Sequence, residues 1–224
     1  MREIIVDTET TGLDPNDGHR VVEVACIELS NHIPTGRHFQ TYLNPDRDMP
    51  TEAAAIHGLT GDFLADKPRF GDVVEKLLEF IGDAPLVIHN AEFDMRFLNA
   101  ELARAGRSGI DYTRAIDTLN LTKQKFPGAP SSLDALCKRF GIDNSARTFH
   151  GAMLDAELLA EVYLELIGGR QAGLELVATK SAASVAIVAA NRIARLPRPH
   201  QPSEAELIAH AALVTQLKEP LWVN

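Results

Sequence analysis

Four carboxylates and one imidazole, Asp7, Glu9, Asp94, Asp155 and His150, stand in three separate stretches of this 224-residue chain, each at a point that reads as a strand end or a helix start. In Ile4-Ile5-Val6-Asp7-Thr8-Glu9 an apolar run ends in two acids two residues apart, and the period-two alternation of a strand puts both on one face. Asp94 precedes Phe97 and Leu98 by three and four residues and shares their inward helical stripe. A carboxylate on such a stripe is costly unless a cation or a hydrogen-bond partner holds it. Taken alone, Asp94 also reads as a helix-capping residue satisfied by backbone amides. Asp155 falls on the apolar face of a third segment, ahead of Leu158, Leu159, Val162, Tyr163, Leu166 and Ile167. His150 lies five residues earlier, on the approach before that helix begins.

These residue types suit hydrolysis of a phosphodiester assisted by two metal ions. Carboxylate oxygens match hard Mg²⁺ or Mn²⁺. Two such ions about 3.5–4 Å apart stabilise both the attacking and the leaving oxygen. A strand-end acid such as Asp7 can bridge the pair. A proton must still leave the attacking water, and imidazole, which titrates near neutrality, can take it. His150, near the acids but outside their cluster, is the candidate general base.

The elements that must position these groups follow from periodicity. Strand-like runs occur near 2–7, 21–29 and 37–43, with later strands near 85–89 and 113–117. Helical patterns cover about 70–81, 93–105, 132–140 and 152–167. Early strands with short connections predict antiparallel pairing, and later strands alternating with helices predict parallel additions. The expected fold is α/β, a mixed sheet flanked by helices. A hydrophobic content of 45% is enough for a core of this size. Cys26 and Cys137 are the two cysteines and read as reduced core residues of a cytoplasmic protein. No signal-peptide pattern opens the chain, and no apolar run approaches the ~18 residues of a membrane span.

Three segments, Asp7-Thr8-Glu9-Thr10-Thr11-Gly12-Leu13, His89-Asn90-Ala91-Glu92-Phe93-Asp94 and His150-Gly151-Ala152-Met153-Leu154-Asp155-Ala156, resemble in order the three exonuclease motifs of the DEDDh superfamily. Within it the similarity is greatest to the proofreading ε-subunit family of bacterial DNA polymerase III, over about residues 1–168. The resemblance implies a ribonuclease H-like fold and 3′→5′ removal of nucleoside monophosphates from DNA. It also implies that Asp7, Glu9, Asp94 and Asp155 are metal ligands and His150 the base. Ile56-His57-Gly58-Leu59-Thr60 resembles the segment whose His and preceding apolar residue border the terminal nucleotide. Thr10 and Phe93 resemble residues of the same pocket.

A net charge of −9 is at odds with strong free-standing DNA binding, which draws on a basic surface. It favours a weakly binding nuclease brought to a DNA 3′ end, single-stranded or frayed, by a larger partner. Lys123, Lys125, Lys138, Arg139 and Arg147 are candidates for a local basic rim, or for a solvated face. After a nuclease domain over 1–170 the chain changes character. A linker over 171–202 begins with Gln171, Leu174 and Leu176 in a pattern resembling sliding-clamp-binding peptides, and ends in a stiff stretch with alternating prolines. Ser203 and Glu206 form a capping-box pattern before Leu207, Ile208, Ala211, Val214 and Leu217. The resulting tail, 203–224, partly extended and partly helical and carrying Trp222, is a candidate docking element for the polymerase catalytic subunit. The competing readings are a free-standing DEDDh enzyme that trims RNA or DNA and a non-catalytic polymerase scaffold.

Overall fold

The computed structural model describes residues 1–147, 149–169 and 201–216. The chain divides into two units, Met1–Leu174 and Glu175–Asn224. The first is built on a five-stranded mixed sheet of order β3-β2-β1-β4-β5, with β1 Arg2–Thr10, β2 Val21–Ser30, β3 Ile33–Tyr42, β4 Leu86–Ile88 and β5 Ala115–Asp117. The first three strands pair antiparallel, and β4 and β5 add in parallel on the other side of β1. This is the sheet that the sequence patterns and the resemblance predict.

β1 and β2 are apolar on both faces because helices cover both. Ile4 and Val6 point into one core, with α3 (Phe70–Ile81) and α4 (Ala91–Arg104). Ile5 points into the other, with α6 (Leu133–Phe140) and α7 (Ala152–Leu166). Phe97 of α4 is fully buried, so truncation to Ala is expected to cost about 3–5 kcal/mol. The β2–β3 hairpin turns on Asn31 and His32, both with positive φ, as a two-residue loop between right-twisted strands requires. β3, the sheet edge, is mostly exposed and polar, and begins four residues earlier than its apolar pattern predicts.

Helix α3 spans the predicted 70–81, and α6 and α7 lie within a residue of expectation. Three short helices were not predicted: α1 (Thr51–His57), α2 (Gly61–Leu64) and α5 (Thr118–Lys125). Cys26 and Cys137 are free and buried in the two cores, as predicted. No helix among the described residues is long and apolar enough to cross a membrane.

In the second unit, α8 (Glu204–Val214) starts at the predicted capping box. The Ser203 amide donates to Glu206 Oε2 at 2.7 Å, and the Glu206 amide donates to Ser203 Oγ at 3.3 Å. Leu207, Ile208 and Leu213 are exposed. The clamp-like pattern of Gln171, Leu174 and Leu176, and Trp222, lie outside the described residues.

Candidate active site

All five predicted residues converge on one cleft of about 620 Å³, which Thr10, Ile56, His57 and Phe93 also line. Asp7 and Glu9 project from the same face of β1, as alternation predicts. The strand runs on to Thr10 instead of ending at Asp7, with an irregularity in its pairing to β2 between Glu9 and Thr10. Such bulges re-aim side chains beside functional sites. Asp94 sits in the first turn of α4, behind Asn90, whose positive φ of 67° swings the chain from β4 into the helix. Asp155 lies in the first turn of α7 and His150 just before it. Asp94 and Asp155 are both buried, at 4% exposure, whereas His150 is exposed.

Thr8, beside both strand acids in sequence, turns to the opposite face and donates to Asp94 Oδ1 at 2.7 Å. Among the described residues no ion pair involves Asp7, Glu9 or Asp94. Their carboxyls are accordingly pushed up in pKa. Burial is the largest cause for Asp7, followed by the charges of Asp94 and Glu9. Burial followed by the charge of Asp155 raises Glu9 to about 8. Burial raises Asp94 too, against the opposing Thr8 hydrogen bond. Oxygen donors in this number, desolvated and mutually repelling, fit a divalent cation. Ligand atoms of Glu9, His150 and Asp155 lie within 4.8 Å of one another, close enough to share one ion.

Arg147 corrects the expectation of a basic rim. Its guanidinium forks onto Asp155, Nε to Oδ1 at 2.5 Å and Nη2 to Oδ2 at 2.7 Å. Nη1 pairs with Asp134 at 2.9 Å. Nη2 also reaches His150 Nδ1 at 3.1 Å. A guanidinium only donates, so Nδ1 accepts, and a neutral ring then carries its proton on Nε2. Nor do Lys123, Lys125, Lys138 or Arg139 line the cleft. Lys125 donates to the Leu166 carbonyl at 3.0 Å, at the end of α7, and Arg139 lies 4.4 Å from the Phe126 ring centroid. The acids drew attention in the sequence by their apolar surroundings, but Arg147 offered only a positive charge in a polar loop.

The four pocket residues differ in character. Ile56 is exposed, and its carbonyl accepts the His150 amide at 3.0 Å, tying the two segments together. His57 is buried, its pKa lowered chiefly by burial. Its Nδ1 accepts the Leu59 amide at 3.0 Å, and Nε2 has no hydrogen-bond partner. Phe93 is half-buried and packs on Phe97, ring centroids 5.0 Å apart. Thr10 is spent locally, its hydroxyl donating to the Gly12 carbonyl at 2.7 Å. A further buried acid, Glu23, was not singled out in the sequence. It stands on β2 opposite Glu9 and accepts the amide of Ala152 at 3.1 Å.

The fold and this acid-lined cleft define a nuclease, and comparison with known proteins agrees: the family described as Exonuclease matches residues 4–163. The chain is 47% identical over 222 residues to DNA polymerase III subunit epsilon of Rickettsia typhi, covering 97% of each. It is 44% identical over 176 residues to DNA polymerase III subunit epsilon of Escherichia coli strain K12, covering 75% of this chain and 72% of that protein. The chain therefore belongs to the exonuclease family, in its branch of DNA polymerase III epsilon subunits. Among solved structures, exonuclease X in complex with 5′-overhanging duplex DNA superposes with a TM-score of 0.58 at 27% identity, covering 74% of this chain and 90% of that one. The nuclease domain of 3′hExo, a DEDDh family member bound to rAMP, shares the fold with a TM-score of 0.65 at 19% identity, covering 74% and 91%.

Proposed function

We propose that this chain removes nucleoside monophosphates from the 3′ ends of DNA as the proofreading subunit of a bacterial replicative DNA polymerase, in the cytoplasm. The observation that carries the reading is the convergence of Asp7, Glu9, Asp94 and Asp155, three of them without a cationic partner among the described residues, in a cleft open to His150. Similarity along nearly the whole length to proteins named DNA polymerase III subunit epsilon supports the replicase setting.

In this reading Asp7, Glu9, Asp94 and Asp155 would hold two divalent ions, Mg²⁺ or Mn²⁺. When bound, such ions lower the pKa of a water and stabilise charge on the attacking and leaving oxygens. His150 would accept the proton of the attacking water on Nδ1, the nitrogen with the lone pair, in place of the hydrogen bond from Arg147. Ile56 and Phe93 flank the terminal nucleotide with apolar surface that does not read base identity. Thr10 and the buried His57 border it as well. A frayed or single-stranded end enters the cleft more readily than a paired one, and this is how mismatches are selected. The capped tail helix with its exposed Leu207 and Ile208 docks on the polymerase catalytic subunit. The Gln171, Leu174 and Leu176 pattern engages the sliding clamp.

The test is release of 3′-mononucleotides from matched and mismatched primer–templates and from single-stranded RNA, in Mg²⁺ or EDTA, by wild type and Asp7→Ala. Faster Mg²⁺-dependent release from mismatched DNA, lost in the variant, is the expected result. Preference for RNA would instead indicate a free-standing trimming enzyme, and inactivity on every substrate a scaffold.

A further inference from the structure

We infer that Glu23 is a positioning residue of the hydrolytic centre, a remote cap that fixes the start of α7 and thereby sets His150 and Asp155 relative to Glu9. The first turn of a helix leaves backbone N–H groups without intrahelical partners, and a Ser, Thr, Asp or Asn at the N-cap usually satisfies one of them. The N-cap of α7 is Gly151, which has no side chain to do so. The carboxylate of Glu23 reaches across from β2 instead, Oε2 accepting the Ala152 amide at 3.1 Å. Its other oxygen accepts the side-chain amide of Gln40 at 2.7 Å. Glu23 is 2% exposed, and a carboxylate so buried beside other acids carries an electrostatic cost that its surroundings must offset.

The place of that bond gives it a functional consequence. His150 lies two residues before Ala152 and Asp155 three residues after it, so one hydrogen bond anchors the joint between candidate base and candidate ligand. The same carboxylate stands directly opposite Glu9 in the β1–β2 pairing. Glu9 on β1 and the start of α7 are thus linked through one side chain, in addition to the apolar packing of α7 on the sheet and the His150–Ile56 backbone bond. The Arg147 fork orients the Asp155 carboxylate, but Arg147 comes from the loop before the helix and leaves the helix backbone unanchored. Gln can replace Glu23 at the same length: its amide oxygen accepts from Ala152, while its NH₂ meets Gln40 with that amide turned over. Leu keeps much of the volume and removes the acceptor.

The inference rests on the cleft being the hydrolytic centre, and the experiment separates the two. Wild type, Glu23→Leu, Glu23→Gln and Glu23→Leu combined with Gly151→Ser are compared as full chains for kcat and KM on a single-stranded oligonucleotide, for Mn²⁺ affinity by calorimetry, and for folding by circular dichroism. A side chain at Gly151 has open space around it and an ordinary extended φ of −148°, so a serine there can supply a local cap. Glu23→Leu is expected to lower kcat by roughly 10- to 100-fold with KM little changed, and to weaken Mn²⁺ binding by about tenfold. Glu23→Gln is expected to stay within about threefold of wild type, well inside the loss expected for misplacement, and Gly151→Ser to restore most of the kcat lost in Glu23→Leu. Should Glu23→Leu not fold, the double variant and Glu23→Gln decide: full activity in both upholds the inference. Wild-type kcat in Glu23→Leu, or a loss that neither Gln nor the added serine repairs, overturns it. A wild type that releases no nucleotide in Mg²⁺ sinks the nuclease reading itself.

Discussion

Buried acids occur both at the cleft and away from it, and of the four candidate ligands at the cleft only Asp155 is held by a guanidinium, that of Arg147. Away from the cleft each has a partner. Glu101 accepts a fork from Arg20 at 2.6 and 2.8 Å. Glu28 takes Arg2 at 2.7 Å and Arg37 at 3.0 Å. Glu3 accepts the Tyr163 hydroxyl at 2.7 Å, with His32 Nδ1 2.6 Å from its other oxygen. At the cleft, no ion pair among the described residues involves Asp7, Glu9 or Asp94. The hydrogen bond from Arg2 leads the effects that depress the Glu28 carboxyl, whereas burial leads those that raise Glu9. A fold able to pair its buried acids elsewhere leaves these three without a cationic side chain among the described residues.

The sharpest way to break this comparison is to remove one acid from each set. Asp7→Ala is expected to abolish nucleotide release, a loss of about a thousandfold or more, since metal assistance contributes several kcal/mol at the transition state. Its melting temperature in EDTA should hold or rise, because one of several repelling charges has gone. A lower melting temperature would mean that Asp7 has a structural partner. His150→Gln should lower kcat by about a hundredfold while leaving Mn²⁺ affinity within a few-fold. A proportionate loss of metal binding would make His150 a ligand instead of a base.

Glu101→Ala should do the reverse of Asp7→Ala. It strands Arg20 and is expected to cost on the order of 3 kcal/mol in denaturant unfolding, with turnover per folded molecule unchanged. The remaining effect is that of pH. Glu9 titrates at about 8 in the fold against an ordinary 4.5, so between those values the folded chain binds more protons than the unfolded one. The stability it contributes at low pH is therefore lost as pH rises towards 8. Glu28, depressed in the fold, acts oppositely and loses its contribution as pH falls. In EDTA the melting temperature should drop between pH 5 and pH 8, as stability falls by about 1.4 kcal/mol for each pH unit over which the folded form holds one proton more than the unfolded one. Mg²⁺ should raise it more at pH 8 than at pH 5, and an equal rise at both would count against occupation of the raised carboxyls.

The residues that meet in the cleft were legible because acids interrupt apolar periodicity at Asp7, Asp94 and Asp155, and helix α3 because its apolar stripe runs its full length. The mix of antiparallel and parallel pairing followed from connection lengths and the fold-family resemblance. α1 and α2 were not legible, since seven residues or fewer show too little period to distinguish from a loop, and α5 was not because its sequence, TLNLTKQK, is mostly polar and carries no apolar stripe. Glu23 was missed for a different reason: its partner Ala152 lies 129 positions away and is brought close only by folding, and local pattern carries no trace of such a pairing. Arg147 was read as part of a basic rim, because a charge in a polar loop does not show that it forks onto Asp155.

The measurement that bears most directly on the unpaired acids is Mn²⁺ binding at pH 7.5–8, by calorimetry or electron paramagnetic resonance, for wild type, Asp7→Ala and Glu101→Gln. The expected result is binding to wild type and to Glu101→Gln alike, with loss of at least one ion from Asp7→Ala. Binding that survives Asp7→Ala undiminished, or that is absent from wild type, would contradict the assignment of the cleft acids to a cation.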